Sequence, residues 1–257
     1  MENSNSKHFV LVHGSCHGAW CWFKLVNLIK VAGHRATAID LGASGINPKQ
    51  LISQVSSFSD YIQPLLNFMS SIPQNDKVIL VGHSYAGLCI SLAMESFPEK
   101  FESAVFLTAY MPHYNSPPGL LIHEFFKRTP VESLLDCQVT TIEDKPVSVI
   151  FGPDYMKSKL YPHSPPEDLE LAKMLIRPSG LFVEDLSKEC LLTEAKYGSG
   201  KRIFIVCEED EVMKIEFQRW MIKNYPTEEV VSIKGADHMV MLSKPQELCQ
   251  ILLKVAE

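Results

Sequence analysis

The sequence has few of the features that mark secreted, membrane or nucleic-acid-binding proteins. Its first seven residues are polar and lack the apolar segment of a secretory signal. Its longest apolar runs have the length of a strand and are too short to cross a bilayer. Lys and Arg number 24 against 30 Asp and Glu, and the net charge of −6 argues against nucleic-acid or anionic-lipid binding. We expect a soluble, cytoplasmic protein with no nucleic-acid or membrane partner.

No two of the seven cysteines have Cys-x-x-Cys spacing, and several fall inside apolar-periodic runs, where free cysteine behaves as a small apolar residue. The cysteines therefore predict neither a disulfide framework nor a zinc site. His13 and His17 are four residues apart, which suits a metal only on a helix, and Gly14 and Gly18 argue against a helix there. We expect no metal and no cofactor.

What the chain does have is an alternation of short apolar runs with amphipathic stretches, which is typical of a parallel sheet with crossover helices. Each run is almost entirely apolar, as expected where helices cover both faces of a sheet. Helices are predicted up to Gly33, over residues 60–69, after Ser84, and from Ser243, where Ser-Lys-Pro-Gln has the pattern of a capping box. The predicted strands are 8–12, 35–40, 77–81, 103–107, 202–207 and 229–233.

The alternation is lost between residues 112 and 186, where prolines crowd. A long insertion between two sheet strands is seldom an idle loop, and a lid is the usual explanation. We predict one structural domain with a core of residues 1–111 and 187–257 and a mainly helical cap of residues 112–186, inserted after the fourth predicted strand. Within the cap, Ser164-Pro-Pro-Glu167 is predicted to cap a helix.

The strongest local signal is an apolar strand that runs into Gly82-His83-Ser84-Tyr85-Ala86 and then into a helix. A Gly-x-Ser-x-small sequence in that setting is typical of a nucleophile elbow, in which a tight turn holds a serine hydroxyl above the sheet edge. Ala86 replaces the usual second glycine and is still small, as the close strand and helix backbones require. Ser84 is the predicted nucleophile; the alternative is a plain strand-to-helix turn with a solvent-exposed serine.

A nucleophilic serine needs a base and an acid that orients the base, in the chain order serine, acid, histidine. His238 follows the last predicted strand, on the side of the sheet where the elbow opens, and is the predicted base. Glu208, Glu209 and Asp210 follow the preceding strand. Asp210 is preferred because three residues leave room for a turn. Asp237 is a rival, but its adjacency to His238 makes it awkward for its carboxylate to face the imidazole.

An oxyanion hole takes one donor from the N–H after the nucleophile, here Tyr85, and another from a loop after an earlier strand. The loop His13-Gly-Ser-Cys-His-Gly18 contains glycines that let its backbone approach a ligand, and the Ser15 N–H is the candidate donor. The alternative is a tight turn without this role. His83 is expected to be structural or pocket-lining rather than a proton carrier.

These motifs resemble the plant methylesterase and hydroxynitrile lyase family of α/β-hydrolases. Besides the elbow, the resemblance rests on His8-Phe-Val-Leu-Val-His-Gly-Ser-Cys-His-Gly-Ala-Trp20, Phe217-Gln-Arg-Trp220 and Gly235-Ala-Asp-His-Met239, and it extends over almost the whole chain. It implies an α/β-hydrolase fold and a serine carboxylesterase that cleaves small methyl esters. It places the catalytic triad on Ser84, Asp210 and His238, and the oxyanion donors on Ser15 and Tyr85.

The lyase branch of the family is the alternative. Lyase members carry lysine where this chain has Met239, threonine where it has Gly14, and an acid where it has His83. Cyanohydrin cleavage is therefore not the preferred prediction. A ligand receptor or non-hydrolytic protein on the same fold is a further alternative, against which the complete Ser, Asp and His set argues.

The resemblance implies a small-molecule ester of a plant metabolite as substrate, of the hormone or monoterpene-indole alkaloid type. If the acid released is β to a carbonyl group, it can then lose carbon dioxide. Homodimers are common in the family, and the sequence leaves the oligomeric state open. The residues predicted to line the pocket are Gly14, His83, Leu107, Tyr110, Phe125, Phe126, Phe151, Leu181, Phe182 and Met239.

Overall fold

The computed structural model of the protein describes residues 6–143 and 145–257. The strands in these residues are β1 (His8–Val12), β2 (Arg35–Ile39), β3 (Val78–His83), β4 (Phe101–Leu107), β5 (Gln138–Ile142), β6 (Lys145–Ile150), β7 (Ser179–Gly180), β8 (Arg202–Cys207) and β9 (Glu229–Ile233). The helices are α1 (Phe23–Val31), α2 (Phe58–Ser71), α3 (Ala86–Ser96), α4 (Gly119–Arg128), α5 (Pro153–Tyr155), α6 (Pro166–Leu175), α7 (Val183–Ser187), α8 (Ile215–Asn224), α9 (Val240–Ser243) and α10 (Pro245–Val255).

Six strands form one parallel sheet in the order β2-β1-β3-β4-β8-β9. The six strands predicted from the sequence coincide with these to within two residues at each end. Because all six strands are parallel, their carboxyl ends lie along one edge of the sheet. The loops that carry the predicted site residues all leave the sheet at this edge.

Helices cover both faces of the sheet, which explains why its central strands are continuously apolar. Successive residues of a strand point to opposite faces. Val10 and Val12 of β1 accordingly lie in a cluster with buried residues of α2, α3 and α8. Phe9 and Leu11 lie in a second cluster, with buried residues of α1 and α10. The prediction of an α/β fold with a parallel sheet is confirmed.

The segment between β4 and β8 contains more than helices. Besides α4, α6 and α7 it has a three-stranded antiparallel sheet in the order β5-β6-β7, which the sequence did not predict. β5 is exposed along its whole length and β7 has only two residues, so neither shows the apolar pattern that marks a buried strand. In the described part of the chain no helix is long and apolar enough to cross a membrane.

Two predicted helix caps are wrong. Helix α10 begins at Pro245 after Lys244, and helix α6 begins at Pro166 after Pro165, each without a side-chain cap. The hydroxyls of Ser243 and Ser164 instead donate to the carboxylate of Asp237, over 2.7 and 2.8 Å. Each helix has proline at its first position, which suits a residue without an N–H, so the predicted serine lies one residue before the N-cap position.

A capping box does occur at the start of α2. The Asp60 N–H donates to the Ser57 hydroxyl oxygen over 3.1 Å, and the Ser57 N–H donates to the Asp60 carboxylate over 3.1 Å. The hydrogen bond from the Ser57 hydroxyl, 2.8 Å long, is the main reason that the pKa of Asp60 is lowered. Two orphan donors of the first helical turn are thereby satisfied.

Replacing Ser57 by alanine should therefore lower the free energy of unfolding by about 1 kcal/mol. That loss corresponds to a fall of roughly 2–4 °C in Tm for a domain of this size. The pKa of Asp60 should rise toward its ordinary value. A carboxyl group whose pKa is lower in the folded than in the unfolded state stabilises the protein at pH values above its ordinary pKa. This contribution is lost as the pH falls through the folded-state pKa. The deficit of the variant should accordingly be smaller in acid than at neutral pH.

Thermal unfolding at neutral and acid pH measures both effects. Ser59→Ala is the matched control, because Ser59 is exposed in the same helical turn and has no capping role. An equal Tm for the two variants would contradict the capping role of Ser57.

Candidate active site

The elbow places Ser84 between the end of β3 and the start of α3, in a conformation that only the surrounding structure can impose. Its φ angle is 55°, in the left-handed region that non-glycine residues seldom adopt. The end of β4 holds this turn: the Ser84 N–H donates to the Leu107 carbonyl over 3.3 Å, and the Tyr110 N–H donates to the Ser84 carbonyl over 3.1 Å. The side chain of Ser84 therefore stands at the sheet edge, where it lines a cavity.

Two glycines allow the backbones around Ser84 to approach. A Cβ atom on Gly82 would lie 2.9 Å from the Ala86 carbonyl oxygen. A Cβ on Gly87 would lie 2.0 Å from the Tyr110 carbonyl oxygen, which leaves no room for any side chain. The second glycine that this elbow needs is thus Gly87, one residue beyond the usual position, while Ala86 is accommodated.

His238 and Asp210 form a buried pair at the same edge. The His238 Nδ1 lies 2.7 Å from the Asp210 Oδ2, and both side chains are buried. The other carboxylate oxygen of Asp210 accepts from the N–H groups of Val212 and Met213, over 2.7 and 2.9 Å. Since a carboxylate oxygen only accepts, Nδ1 carries a proton, and Nε2 is the ring nitrogen that can accept one from a substrate or a hydroxyl.

The sequence reasoning missed Thr108, which also holds Asp210. Its hydroxyl donates to the Asp210 Oδ2 over 2.5 Å, and its side chain is fully buried. Thr108 follows β4 directly, and its φ of 37° turns the chain at the strand end. A polar residue at the carboxyl end of a predicted strand, on the same edge as the elbow, was the signal that could have identified it.

The rival carboxylates lie elsewhere. Glu209 is exposed and pairs with His163 over 3.0 Å, and Glu208 is only half-buried. Asp237 is buried, but it accepts hydrogen bonds from backbone and hydroxyl groups and not from the imidazole of His238. The structure therefore brings Asp210, rather than its neighbours, to the histidine.

The loop after β1 brings a second backbone close to Ser84. A Cβ on Gly14 would lie 2.9 Å from the Cβ of Ser84, so any side chain there would force the loop away. Ser15 and Tyr85 both line the cavity beside Ser84. Among the hydrogen bonds of the described residues, none is donated by the Ser15 or Tyr85 amide. Two amide donors are thus available beside the serine.

Two buried histidines support this loop. The Nδ1 of His13 donates to the Gly14 carbonyl over 2.8 Å and fixes the peptide whose N–H belongs to Ser15, while its Nε2 accepts from the Leu41 N–H. The Nδ1 of His17 donates to the Ser15 carbonyl over 2.8 Å, and its Nε2 accepts from the Tyr161 hydroxyl over 2.6 Å. Burial lowers the pKa of His17 to about 3, so this ring is neutral.

The cavity over Ser84 is lined mainly by apolar and aromatic side chains. Residues predicted for it that do line it are Gly14, His83, Tyr110, Phe125, Phe126, Phe151 and Leu181. Lining residues that were not predicted are His17, Ile122, Leu134, Cys137, Val139, Val149, Tyr155, Leu160, Val212 and Met213. Ile122 precedes Phe125 and Phe126 by three and four residues on α4, so helical periodicity could have identified it.

Three predicted lining residues are placed elsewhere. Leu107 and Met239 are fully buried in the core cluster that contains buried residues of α1 and α10. Phe182 packs against Phe58 and Tyr61 and lines a second cavity. An apolar residue at a strand end has the same sequence pattern whether it points into the core or into a pocket, so the sequence does not distinguish the two.

Replacing Gly87 by alanine should destabilise the protein, because the added Cβ would overlap the Tyr110 carbonyl. Overpacking of this kind costs about 1–3 kcal/mol. Glycine to alanine in an unobstructed helix has the opposite sign, with a gain of up to about 1 kcal/mol. In thermal unfolding, Gly87→Ala should therefore show a lower Tm than wild type. The control is Ser96→Ala, a substitution at the exposed end of the same helix. A raised Tm would contradict the close approach at Gly87.

Comparison with known proteins agrees with this geometry. The family model described as "Alpha/beta hydrolase family" matches residues 9–251. Methylesterase 10 of Arabidopsis thaliana is 52% identical over 259 residues, which cover 100% of this chain and 94% of that protein. The crystal structure of polyneuridine aldehyde esterase superposes with a TM-score of 0.94 at 45% identity, covering 98% of this chain and 100% of that one. A variant of tomato methylketone synthase I, complexed with beta-ketoheptanoate, has a TM-score of 0.91 at 48% identity and covers 98% and 97%. The chain therefore belongs to the alpha/beta hydrolase family, together with the plant methylesterases, and is a serine ester hydrolase.

Proposed function

We propose that the protein is a serine carboxylesterase that hydrolyses the methyl ester of a small plant metabolite, with Ser84 as nucleophile, His238 as base and Asp210 as the acid that orients it. The observation that carries the proposal is the elbow serine and the buried Asp210–His238 pair beside one apolar cavity. The names of the relatives, a methylesterase and polyneuridine aldehyde esterase among them, support the choice of ester.

In this mechanism His238 Nε2 takes the proton of the Ser84 hydroxyl, and the oxygen attacks the carbonyl carbon of the ester. The amides of Ser15 and Tyr85 donate to the oxyanion that forms. The intermediate collapses, the bond to the methoxy oxygen breaks, and His238 returns its proton so that methanol leaves. Water, deprotonated by the same nitrogen, then attacks the acyl-serine, and the acid is released with Ser84 restored.

The cavity supports an ester whose acid part is largely apolar. Its lining includes Ile122, Phe125 and Phe126 from α4 and Phe151 from the loop after β6. All of these lie within residues 112–186, which we propose to be the cap over a core of residues 1–111 and 187–257. Substrate choice then depends on the cap, while the chemistry depends on the core. A cytoplasmic location remains part of the proposal.

For a substrate whose acid is β to a carbonyl, we propose that decarboxylation follows hydrolysis. In the free β-carbonyl acid, the carboxyl proton moves to the carbonyl oxygen as the carbon–carbon bond to the carboxyl group breaks. The electron pair of that bond forms the enol, which returns to the aldehyde or ketone, so no further catalytic group is needed. The beta-ketoheptanoate bound to tomato methylketone synthase I supports a place for such acids in this group of proteins.

Replacing Ser84 by alanine should lower kcat for methyl-ester hydrolysis by about 10⁶-fold, because the nucleophile is lost. Asp210→Asn should lower it by about 10⁴-fold, because the amide favours the wrong imidazole tautomer. The measurement is methanol release and acid formation, followed by mass spectrometry, from a panel of methyl esters of plant hormones and monoterpene-indole alkaloids.

Ser96→Ala is the control, since Ser96 is an exposed serine at the far end of the helix that Ser84 precedes. Equal turnover of the panel by wild type and Ser84→Ala would overturn the esterase proposal. Cyanide release from mandelonitrile would favour a lyase, and binding of panel members without turnover would favour a receptor.

A methyl ester of a β-keto acid should give methanol first and carbon dioxide after a lag. The second step needs no group of the protein. The first-order rate constant with which the released acid loses carbon dioxide should therefore equal that of the free β-keto acid in the same buffer. It should also be independent of the enzyme concentration. Mass spectrometry of ester, acid and ketone over time measures both steps. A rate constant for loss of the released acid that rises with enzyme concentration would show that the protein catalyses the decarboxylation, contrary to this proposal.

A further inference from the structure

The peptide group between His238 and Met239 is held from both sides. Its carbonyl oxygen accepts a hydrogen bond from His83 Nε2 over 2.8 Å. Its N–H donates to the Asp237 Oδ1 over 3.0 Å. We propose that His83 and Asp237 are positioning residues that clamp this peptide and thereby set the distance between His238 and Ser84. This inference rests on the proposed function, in which His238 is the base for Ser84.

His83 connects the base directly to the elbow, because it is the last residue of β3 and the neighbour of Ser84. A carbonyl oxygen only accepts, so Nε2 of His83 carries the proton of the ring. Burial, and then the nearby His238 and His17, place the pKa of His83 well below its ordinary value, which keeps the ring neutral. The hydrogen bond from His83 Nε2 to the His238 carbonyl therefore ties the backbone of His238 to the end of β3.

The other nitrogen of His83 accepts no hydrogen bond from the part of the chain that the structure describes. Its Nδ1 is buried without a hydrogen-bond partner among the described residues. It packs against Gly14, where a Cβ would lie 3.0 Å away. A buried ring nitrogen without a partner costs free energy. Among the described residues, the one hydrogen bond of this imidazole is the bond to the His238 carbonyl, the contact on which the clamp rests.

Asp237 holds the opposite side of the peptide and is itself held by four donors. Its Oδ1 also accepts from the Ser243 hydroxyl, and its Oδ2 accepts from the N–H of His163 and the hydroxyl of Ser164, over 3.0 and 2.8 Å. Burial raises the pKa of its carboxyl group, and the hydroxyl donors oppose that shift. Through His163 and Ser164 the clamp reaches the segment that enters α6.

A backbone clamp does what the Asp210 contact cannot do alone. The hydrogen bond from His238 Nδ1 to Asp210 sets the rotation of the ring and its tautomer. It leaves the position of the His238 backbone to the loop that carries it. A misplacement of about 1 Å in a catalytic group can cost about 10²-fold in rate. Bonds on both sides of the following peptide fix that backbone relative to β3.

The test compares His83→Leu, which removes the donor, with His83→Gln, whose side-chain amide can donate from nearly the position of Nε2. His83→Leu should lower kcat by about 10²-fold. The rate at which a fluorophosphonate probe labels Ser84 should fall in parallel. His83→Gln should recover most of both losses, although the two substitutions change the cavity wall to a similar extent.

The probe separates this inference from the proposed function. If wild type is neither labelled nor hydrolytic, the proposed function fails. If wild type is labelled, Ser84→Ala is not, and folded His83→Leu reacts as fast as wild type, the clamp is overturned. It is also overturned if His83→Gln is as slow as His83→Leu, because the donated hydrogen bond then has no part in the effect.

The Asp237 side is tested by the double variant of His83→Leu and Asp237→Asn. Both changes act on one peptide, so their effects on the labelling rate should be less than multiplicative. Fully multiplicative effects would exclude a shared clamp. If Asp237→Asn does not fold, Ser243→Ala takes its place, since it removes one donor from the same carboxylate oxygen while the charge remains.

Discussion

The structure depends on the close approach of three backbones around Ser84. The turn itself is strained, with a positive φ at a residue that has a side chain, and such a conformation costs about 1–2 kcal/mol. The end of β4 offsets this cost through hydrogen bonds to both sides of Ser84. Positions 14 and 87 leave no space for a Cβ, so the loop after β1 and helix α3 can touch the turn only because both positions are glycine. The cavity, the available amides and the exposure of the serine to that cavity all follow from this approach.

Two buried carboxylates serve the histidine in different ways. Each accepts four hydrogen bonds from described residues, which is how a buried carboxylate is stabilised without a lysine or arginine partner. Asp210 accepts from the imidazole and so determines which ring nitrogen is free. Asp237 is adjacent to His238 in sequence but faces the following peptide, so it acts on the backbone. Because Asp237 is next to His238 in the sequence, its carboxylate accepts from the N–H of the following residue and does not face the imidazole ring.

The sequence was sufficient for the parts of the fold that a single local pattern determines. Strands β1, β3 and β8 are buried on both faces, and their continuous apolar runs gave their limits to within two residues. It was insufficient where a distant group decides. Ser164 has a good capping pattern, but its helix begins at Pro166 and its hydroxyl donates to the buried Asp237, 73 residues away. Thr108 was missed for the same reason, since its partner Asp210 lies 102 residues further along the chain.

The position of Asp237 also connects the walls of the cavity to the loop that carries His238. The walls of the cavity come largely from the segment between β4 and β8, whereas Ser84 and His238 follow strands of the parallel sheet. Asp237 bonds to both parts, to Ser164 on one oxygen and to the peptide after His238 on the other. A change at residues 163–164 that alters how this segment packs therefore reaches the histidine through one carboxylate. Divergence of the cavity walls is then tolerated best where it leaves those two residues in place.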